Sequence, residues 1–160
     1  MTPGAVLLDL TRAEAVHLSM LVRDLLVVLD GSPADDPAVA RLVPSAYPDD
    51  EAASADFRSL TEADLLAARR ADAETVIDAL GPVDAAMLDS QAAHEVVPLA
   101  VDAAQLPAWL RTLTALRLVL ASRIGITDED AQPVDDPRYG IYEWLASRLD
   151  QLVETATGRD

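Results

Sequence analysis

The side chains most able to bind a ligand or take part in chemistry are arginines, tyrosine and aspartates, and they fall into two groups along the sequence. One group occupies a middle segment of the chain, and the other lies on an apolar stretch further along. Arginine presents a planar fork of N–H donors that binds carboxylates and other anions in a bidentate manner. The candidate polar cluster, or anion site, comprises Tyr47, Asp49, Asp50, Asp56, Arg58, Asp64, Arg69, Arg117 and Arg123.

The same residues also have a structural interpretation, which we favour. Arg117 lies in the most apolar stretch of the chain, and an unpaired charge in a protein core is costly. We therefore expect Arg117 to meet a carboxylate that fixes how the middle segment docks, and we expect Arg117→Ala to destabilise the fold by about 3–5 kcal/mol, with little rescue by Arg117→Met. The candidate carboxylates are those of Asp49, Asp50, Asp56 and Asp64. The alternative is a site for an anion or a peptide carboxylate.

Other chemistry-bearing patterns are weak. The two histidines, His17 and His94, are not at metal-ligand spacing, and the absence of cysteine excludes disulfides and thiolate sites in this chain. The acidic residues between Asp128 and Asp136 lack the alternating ligands and the turn glycine of an EF-hand, so we interpret them as charges at helix N-termini. Neither a phosphate-binding glycine loop nor a nucleophile elbow occurs. We expect no metal, no cofactor and no catalytic centre.

The charge balance bears on the class of partner. The chain has 28 acidic and 12 basic residues, a net charge of −16, and every basic residue is arginine. Duplex DNA is bound largely through cations that neutralise phosphates, so this balance disfavours DNA as a partner. The chain has no run of eighteen apolar residues and no basic region before its short apolar N-terminal run, so we predict no membrane association and a cytoplasmic location.

The element that must position Arg117 and Arg123 is the stretch 102–123. Its apolar residues recur at steps of three and four, which is the spacing of one helix face. Beyond Leu116 the stretch is apolar on nearly all sides, as is typical of a helix at the centre of a domain. We predict that the remaining elements pack around this helix.

Two short β-branched runs, at 6–10 and 97–101, each precede a helix cap with a polar partner three residues later. These caps are Thr11 with Glu14 and Asp102 with Gln105. Matching apolar positions after both caps suggest an internal pseudo-repeat. We also predict long helices at 12–29, 61–80 and 139–157, a short helix at 38–43, and a second short helix that begins near Asp49. Thr61 with Asp64 is the predicted start of the helix at 61–80, and Gly125 is the predicted end of the central helix. The predicted fold is a mainly α single domain over 1–160, a bundle of four long helices plus short helices with at most a minimal two-stranded β-ribbon.

Four blocks of the sequence together resemble the actinobacterial domain-of-unknown-function family numbered twenty-seventeen, which includes AosR-like regulators of transcription under oxidative stress. The blocks are 41–50 (RLVPSAYPDD), 56–65 (DFRSLTEADL), 116–126 (LRLVLASRIGI) and 136–145 (DPRYGIYEWL). The resemblance implies a regulatory role. The cysteine-based redox response linked to AosR cannot operate in this cysteine-free chain, and Thr114 and Ala115 stand where the family pattern is more polar.

From these observations we expect a non-enzymatic regulatory protein that acts through protein–protein contacts, in transcription or the stress response. The alternatives are a DNA-binding transcription regulator and an enzyme built on the Arg/Tyr/Asp cluster. The last predicted helix also carries an aromatic-rich group of a kind enriched in interfaces, and it suggests a homodimer. That group consists of Tyr139, Ile141, Tyr142 and Trp144.

Overall fold

The computed structural model describes residues 4–43, 51–126 and 135–157, with side chains from residue 61 onward in the second range. Four long helices, one short helix and a two-stranded sheet form the architecture, so the prediction of a mainly α fold with a minimal ribbon is confirmed. Two short 3-10 helices, Ala85–Asp89 and Gln91–His94, precede the second strand. The elements in order are β1 (Val6–Thr11), α1 (Arg12–Val28), α2 (Pro37–Leu42), α3 (Glu51–Leu80), β2 (Val96–Val101), α4 (Leu106–Ile124) and α5 (Pro137–Thr157).

The two strands pair antiparallel as a ribbon. Alternate side chains face the core, since successive residues of a strand point to opposite faces. The core-facing pairs are Val6 with Val101, Leu8 with Leu99, and Leu10 with Val97. The opposite face consists of the pairs Leu7 with Ala100, Asp9 with Pro98, and Thr11 with Val96. Leu8 thus pairs with Leu99, its counterpart in the proposed repeat, as expected when a two-fold axis passes through the middle of the ribbon.

The hydrogen-bond pattern of the ribbon fixes which backbone groups face outward. The Arg12 amide donates to the Glu95 carbonyl at 2.9 Å, and hydrogen-bonded pairs alternate with non-bonded pairs along an antiparallel ladder. Pro98 pairs with Asp9. This pair lies three steps along the ladder from the hydrogen-bonded pair of Arg12 and Glu95, so it is a non-bonded pair. The amide position of Pro98 therefore lies on the outer edge of β2.

Helix α1 begins where the sequence predicts. The Glu14 amide donates to the Thr11 hydroxyl at 3.0 Å, and the Thr11 amide donates to the Glu14 carboxylate at 2.7 Å, which completes a capping box. The buried face of the helix includes Val16, Leu18, Val22 and Leu25.

Helix α3 corrects the prediction of two separate helices in this region. It is continuous over Glu51–Leu80, so Thr61 lies in its interior and does not cap a new helix. No glycine or proline interrupts residues 51–80, and three of the ten residues before Thr61 are alanine, the residue of highest helix propensity. Propagation of the helix through Thr61 is therefore favoured over a new start at the local capping pattern. Gly81, in the left-handed region with φ of +73°, ends α3.

Helix α4 is central, as predicted, and it packs against α2, α3 and α5. Trp109, Leu113 and Leu116 are buried along it. The predicted cap at Asp102 is displaced, since the helix begins at Leu106, next to Pro107, which has no amide hydrogen to donate. Gly125, with φ of +82°, ends the helix in a left-handed cap.

The two halves of the chain resemble each other only in part. Strand and helix occur twice in succession, and α1 packs on α3 much as α4 packs on α5. Helix α5 also packs on β1, whereas α3 makes no contact of comparable extent with β2 in the described ranges. The core face of β1 is therefore covered, while the start of β2 stays open to solvent.

Candidate functional site

Three arginines of α4 fasten it to three different neighbours. Arg111, Arg117 and Arg123 follow at steps of six residues, and six residues turn an α-helix by about 240°. Arg111 forms a bidentate ion pair with Asp72 of α3, at 2.7 and 2.9 Å. Arg117 reaches α5 and Arg123 reaches the start of α2. The spacing therefore distributes these arginines around the helix and does not gather them at one site.

The guanidinium of Arg117 lies over the ring of Tyr142 on α5, 4.4 Å from the ring centroid. Its Nε atom is buried and has no hydrogen-bond partner among the described residues. Of the four carboxylates predicted to pair with Arg117, Asp64 is exposed and forms no ion pair with it, so that choice is wrong. The other three side chains belong to residues outside the described part of the chain. Among described residues, Arg117 is held by the face of an aromatic ring.

Arg123 supplies the docking contact that we expected of Arg117. Its two terminal nitrogens lie 2.7 and 2.8 Å from the carboxylate of Asp36. Asp36 also caps α2, because its carboxylate accepts a hydrogen bond from the Ala38 amide at 2.9 Å. The hydrogen bonds from Arg123 lower the pKa of Asp36 to about 2. A second arginine, Arg41 of α2, donates to the Ile126 carbonyl at 3.4 Å, so α2 is held to the end of α4 from both sides.

Arg69 of α3 serves the same short helix. Its Nε donates to the Leu42 carbonyl at the end of α2, at 3.3 Å. Burial lowers the pKa of Arg69, and the nearby carboxylate of Asp72 partly offsets this lowering. Arg69, Arg117 and Arg123 thus make three separate contacts with neighbouring helices.

The remaining residues of the predicted cluster are placed only in part. Tyr47, Asp49 and Asp50 lie outside the described residues. Asp56 and Arg58 belong to α3, but their side chains lie outside the described set. Convergence of these residues into an anion site therefore stays a prediction.

A polar junction that the sequence does not reveal centres on Glu14. Its carboxylate completes the capping box of α1 and also accepts hydrogen bonds from Trp144 Nε1 at 2.9 Å and Arg148 at 3.0 Å. Burial raises the pKa of Glu14, but the hydrogen bonds from Thr11, Trp144 and Arg148 outweigh this effect and hold the pKa below its ordinary value. One carboxylate therefore joins the start of α1 to the middle of α5.

The aromatic group predicted as a dimer contact is engaged within the chain. The rings of Tyr139 and Tyr142 lie 6.0 Å apart, with Tyr142 beneath Arg117. Trp144 donates to Glu14, and Ile141 packs against the core. All four side chains are half-buried. A homodimer through α5 stays a prediction.

An apolar groove of about 280 Å³ lies beside the ribbon. We call it the ribbon groove. The core-facing side chain of Val97 on β2 lines it and is 40% exposed, and the adjacent Val96 is 57% exposed. The lining residues are Leu10, Thr11, Arg12, Ala15, Val16, Leu80, Pro82, Val83, Asp84, Met87, Val97 and Leu99. The groove thus lies where β2 lacks the helix cover that β1 has.

The charged groups at the ribbon groove include one ion pair and one carboxylate without an arginine partner among the described residues. Arg12 pairs with Glu95 at 3.3 Å. Asp84 is exposed, and its carboxylate accepts a hydrogen bond from the Ala86 amide at 2.9 Å. Within the described part of the chain, no arginine pairs with Asp84. The rim therefore has an excess of negative charge.

His17 and His94 are both exposed, and no group of side chains that could hold a metal ion occurs among the described residues. In the predicted acidic cluster, Asp136 pairs with Arg138 at 2.7 Å and Asp135 is exposed. Asp128, Glu129 and Asp130 lie outside the description. Among the described residues, no helix has the length and apolar character required to cross a membrane.

The fold defines a helical domain with a two-stranded ribbon, whose described arginines serve mainly its internal packing. The family model of a domain of unknown function, DUF2017, matches residues 1–156, and the chain belongs to this family. The resemblance noted from the sequence blocks is thereby confirmed at the level of the family. Neither the curated proteins nor the solved structures yielded a match.

Proposed function

We propose that this protein is a non-enzymatic regulator that acts through contacts with another protein. The observation that carries the proposal is the ribbon groove, which is lined by Val97, a core-facing residue that remains 40% exposed, and by the exposed Pro82. Exposed apolar groups that adjoin one another mark interaction sites more often than isolated ones do. An acidic surface, with a net charge of −16 for the chain, keeps such a protein soluble while the groove stays open.

The described arginines argue against a DNA-binding role. Arg12 forms an ion pair with Glu95, and Arg70 forms one with Asp30. The other described ion pairs likewise neutralise arginines within the fold. Affinity for duplex DNA requires several cations free to meet phosphates. A regulator of this kind acts on transcription or the stress response, the setting that its resemblance to AosR-like proteins suggests, through a protein partner.

A catalytic role has no comparable support. Of the arginines that were candidates for an active site, Arg69, Arg117 and Arg123 are used between helices, and most of the side chains that line the groove are apolar. General acid–base or nucleophilic chemistry needs a positioned polar pair next to a substrate pocket. The groove does not offer such a pair.

Site-specific photocrosslinking in the native host tests the proposal. A photoreactive phenylalanine analogue replaces Val97, which lines the groove, in one variant and Val153, an exposed apolar residue of α5, in a matched control. We expect a discrete protein adduct from position 97 that is absent from position 153. Equal adduct patterns at both positions, or none at either, would contradict a regulator that works through the ribbon groove. Turnover of a small molecule by the purified chain in a metabolite extract would favour the enzyme alternative.

A further inference from the structure

We infer that the ribbon groove binds a partner segment in which one or two apolar side chains are flanked by lysine or arginine. This inference rests on the proposed function and names the chemistry of the partner.

The groove is a gap in the packing of the ribbon. On β1 the core-facing Leu8 and Leu10 are 0% and 2% exposed, because α5 and α1 cover them. On β2 the core-facing Val97, which pairs with Leu10, is 40% exposed. Burying an exposed aliphatic side chain stabilises a contact, because apolar surface is removed from water. A partner side chain inserted beside Val97 would gain part of that stabilisation.

The size of the groove limits what can enter it. Its volume of about 280 Å³ lies below the range of about 300–1,000 Å³ that is usual for pockets that bind whole small molecules. One or two aliphatic side chains fill such a space. A partner segment that inserts side chains is therefore a better fit than a cofactor.

The charge around the groove selects the flanking residues. Arg12 is the cation of the lining, and Glu95 already opposes it. Asp84 at the rim has no arginine partner among the described residues, and the chain as a whole carries a net charge of −16. Complementary potentials steer association and disfavour partners of the same sign. Cationic residues on either side of the inserted apolar group complement the negative potential at the groove. A second copy of this chain would instead bring the same negative charge.

A peptide array tests both parts of the inference on the intact chain. Each peptide places a pair of apolar residues between flanks of lysine, serine or glutamate, and every apolar pair is included. We expect binding to lysine-flanked peptides, weaker binding to serine-flanked peptides and none to glutamate-flanked peptides. The affinity of the best lysine-flanked peptide, measured by fluorescence anisotropy, should fall as salt is added.

Two variants assign the binding to the groove. Val97→Glu should weaken the best peptide by about tenfold or more, which corresponds to loss of a central apolar contact. Val153→Glu, at an exposed valine of α5, is the matched control and should leave the affinity unchanged. Asp84→Asn keeps an acceptor for the Ala86 amide. It should weaken the lysine-flanked peptide by about two- to fivefold and leave the serine-flanked peptide unaffected.

Several outcomes would overturn the inference. They are binding that is independent of the flanks, binding that is insensitive to Val97→Glu, and failure of every peptide in the array. A concentration-dependent dimer that Val97→Glu dissociates, observed by sedimentation velocity, would assign the groove to a second copy instead. If the array fails while position 97 still yields a discrete protein adduct, the regulatory proposal stands and only the chemistry of the partner is wrong.

Discussion

Trp144 Nε1 donates a hydrogen bond to the carboxylate of Glu14 at 2.9 Å, although the two residues lie 130 positions apart in the sequence. The same carboxylate completes the N-terminal cap of α1 and meets Arg148. The first and last helices of the described chain therefore share one polar junction.

The first prediction concerns this junction. Glu14→Ala removes a capping interaction, about 1 kcal/mol, and leaves the indole N–H of Trp144 without its partner, about 1–3 kcal/mol. We expect a loss of about 2–3 kcal/mol in the free energy of unfolding, measured by urea titration. Glu154→Ala, at an exposed acid of α5, is the control and should change stability by no more than about 0.5 kcal/mol. Equal effects of the two variants would mean that the junction does not stabilise the fold.

The second prediction concerns the pH dependence of the contact between Arg123 and Asp36. The folded state lowers the pKa of Asp36 from 3.8 to about 2, so the ionised carboxylate favours folding. This contribution is fully present above about pH 4 and is lost as the pH falls towards 2. The stability difference between the wild type and Asp36→Asn should therefore shrink across that range, in urea titrations at successive pH values. Asp150→Asn, at an exposed acid of α5, corrects for general effects of acid. A difference that stays constant down to pH 2 would contradict the contact.

The third prediction concerns Arg117. Its guanidinium lies over the ring of Tyr142, and such a contact contributes about 0.5–2 kcal/mol. Arg117→Met keeps the volume and the apolar contact with the ring, so we expect it to cost at most about 1 kcal/mol, and Arg117→Ala to cost more. A double-mutant cycle with Tyr142→Leu should give a coupling energy of about 0.5–2 kcal/mol. If Arg117→Met instead costs about 3–5 kcal/mol, a buried carboxylate partner is present, as the sequence suggested.

The fourth prediction tests whether α3 is one helix. Proline is tolerated in the first turn of a helix but costs about 3 kcal/mol in the interior. Glu62 would occupy the first position of a helix that began after Thr61, whereas it lies in the interior of the continuous α3. Glu62→Pro should therefore destabilise the protein by about 3 kcal/mol relative to Glu62→Ala, with loss of helical circular dichroism. A near-neutral effect of proline would restore the two-helix interpretation.

The elements that were predictable are those whose signals are local. The capping box of Thr11 and Glu14, the glycine after α4 and the apolar spacing of α4 involve residues within a few turns of one another, and all three appear in the structure. The failure at Thr61 has the same origin. A capping pattern indicates where a helix can begin, but it cannot show that a preceding helix already runs through that point.

The contacts of the arginines were not predictable in the same way. The ion pair of Arg123 and Asp36 spans 87 positions, and the partner of Arg117 depends on which neighbour lies on its side of α4. The sequence indicated that a buried arginine needs a partner, but an aromatic ring and a carboxylate both meet that need. The rotation of the central helix decides between them, and it is a property of the packed fold.

Pro98 has a consequence for how this protein behaves at high concentration. The two strands of an isolated ribbon both expose an edge, and such edges can recruit further strands into growing fibrils. Pro98 lies in β2 with its amide position on the outer edge, where it cannot donate to an added strand. The edge of β2 can therefore leave Val97 accessible while Pro98 hinders the addition of a further strand at that edge.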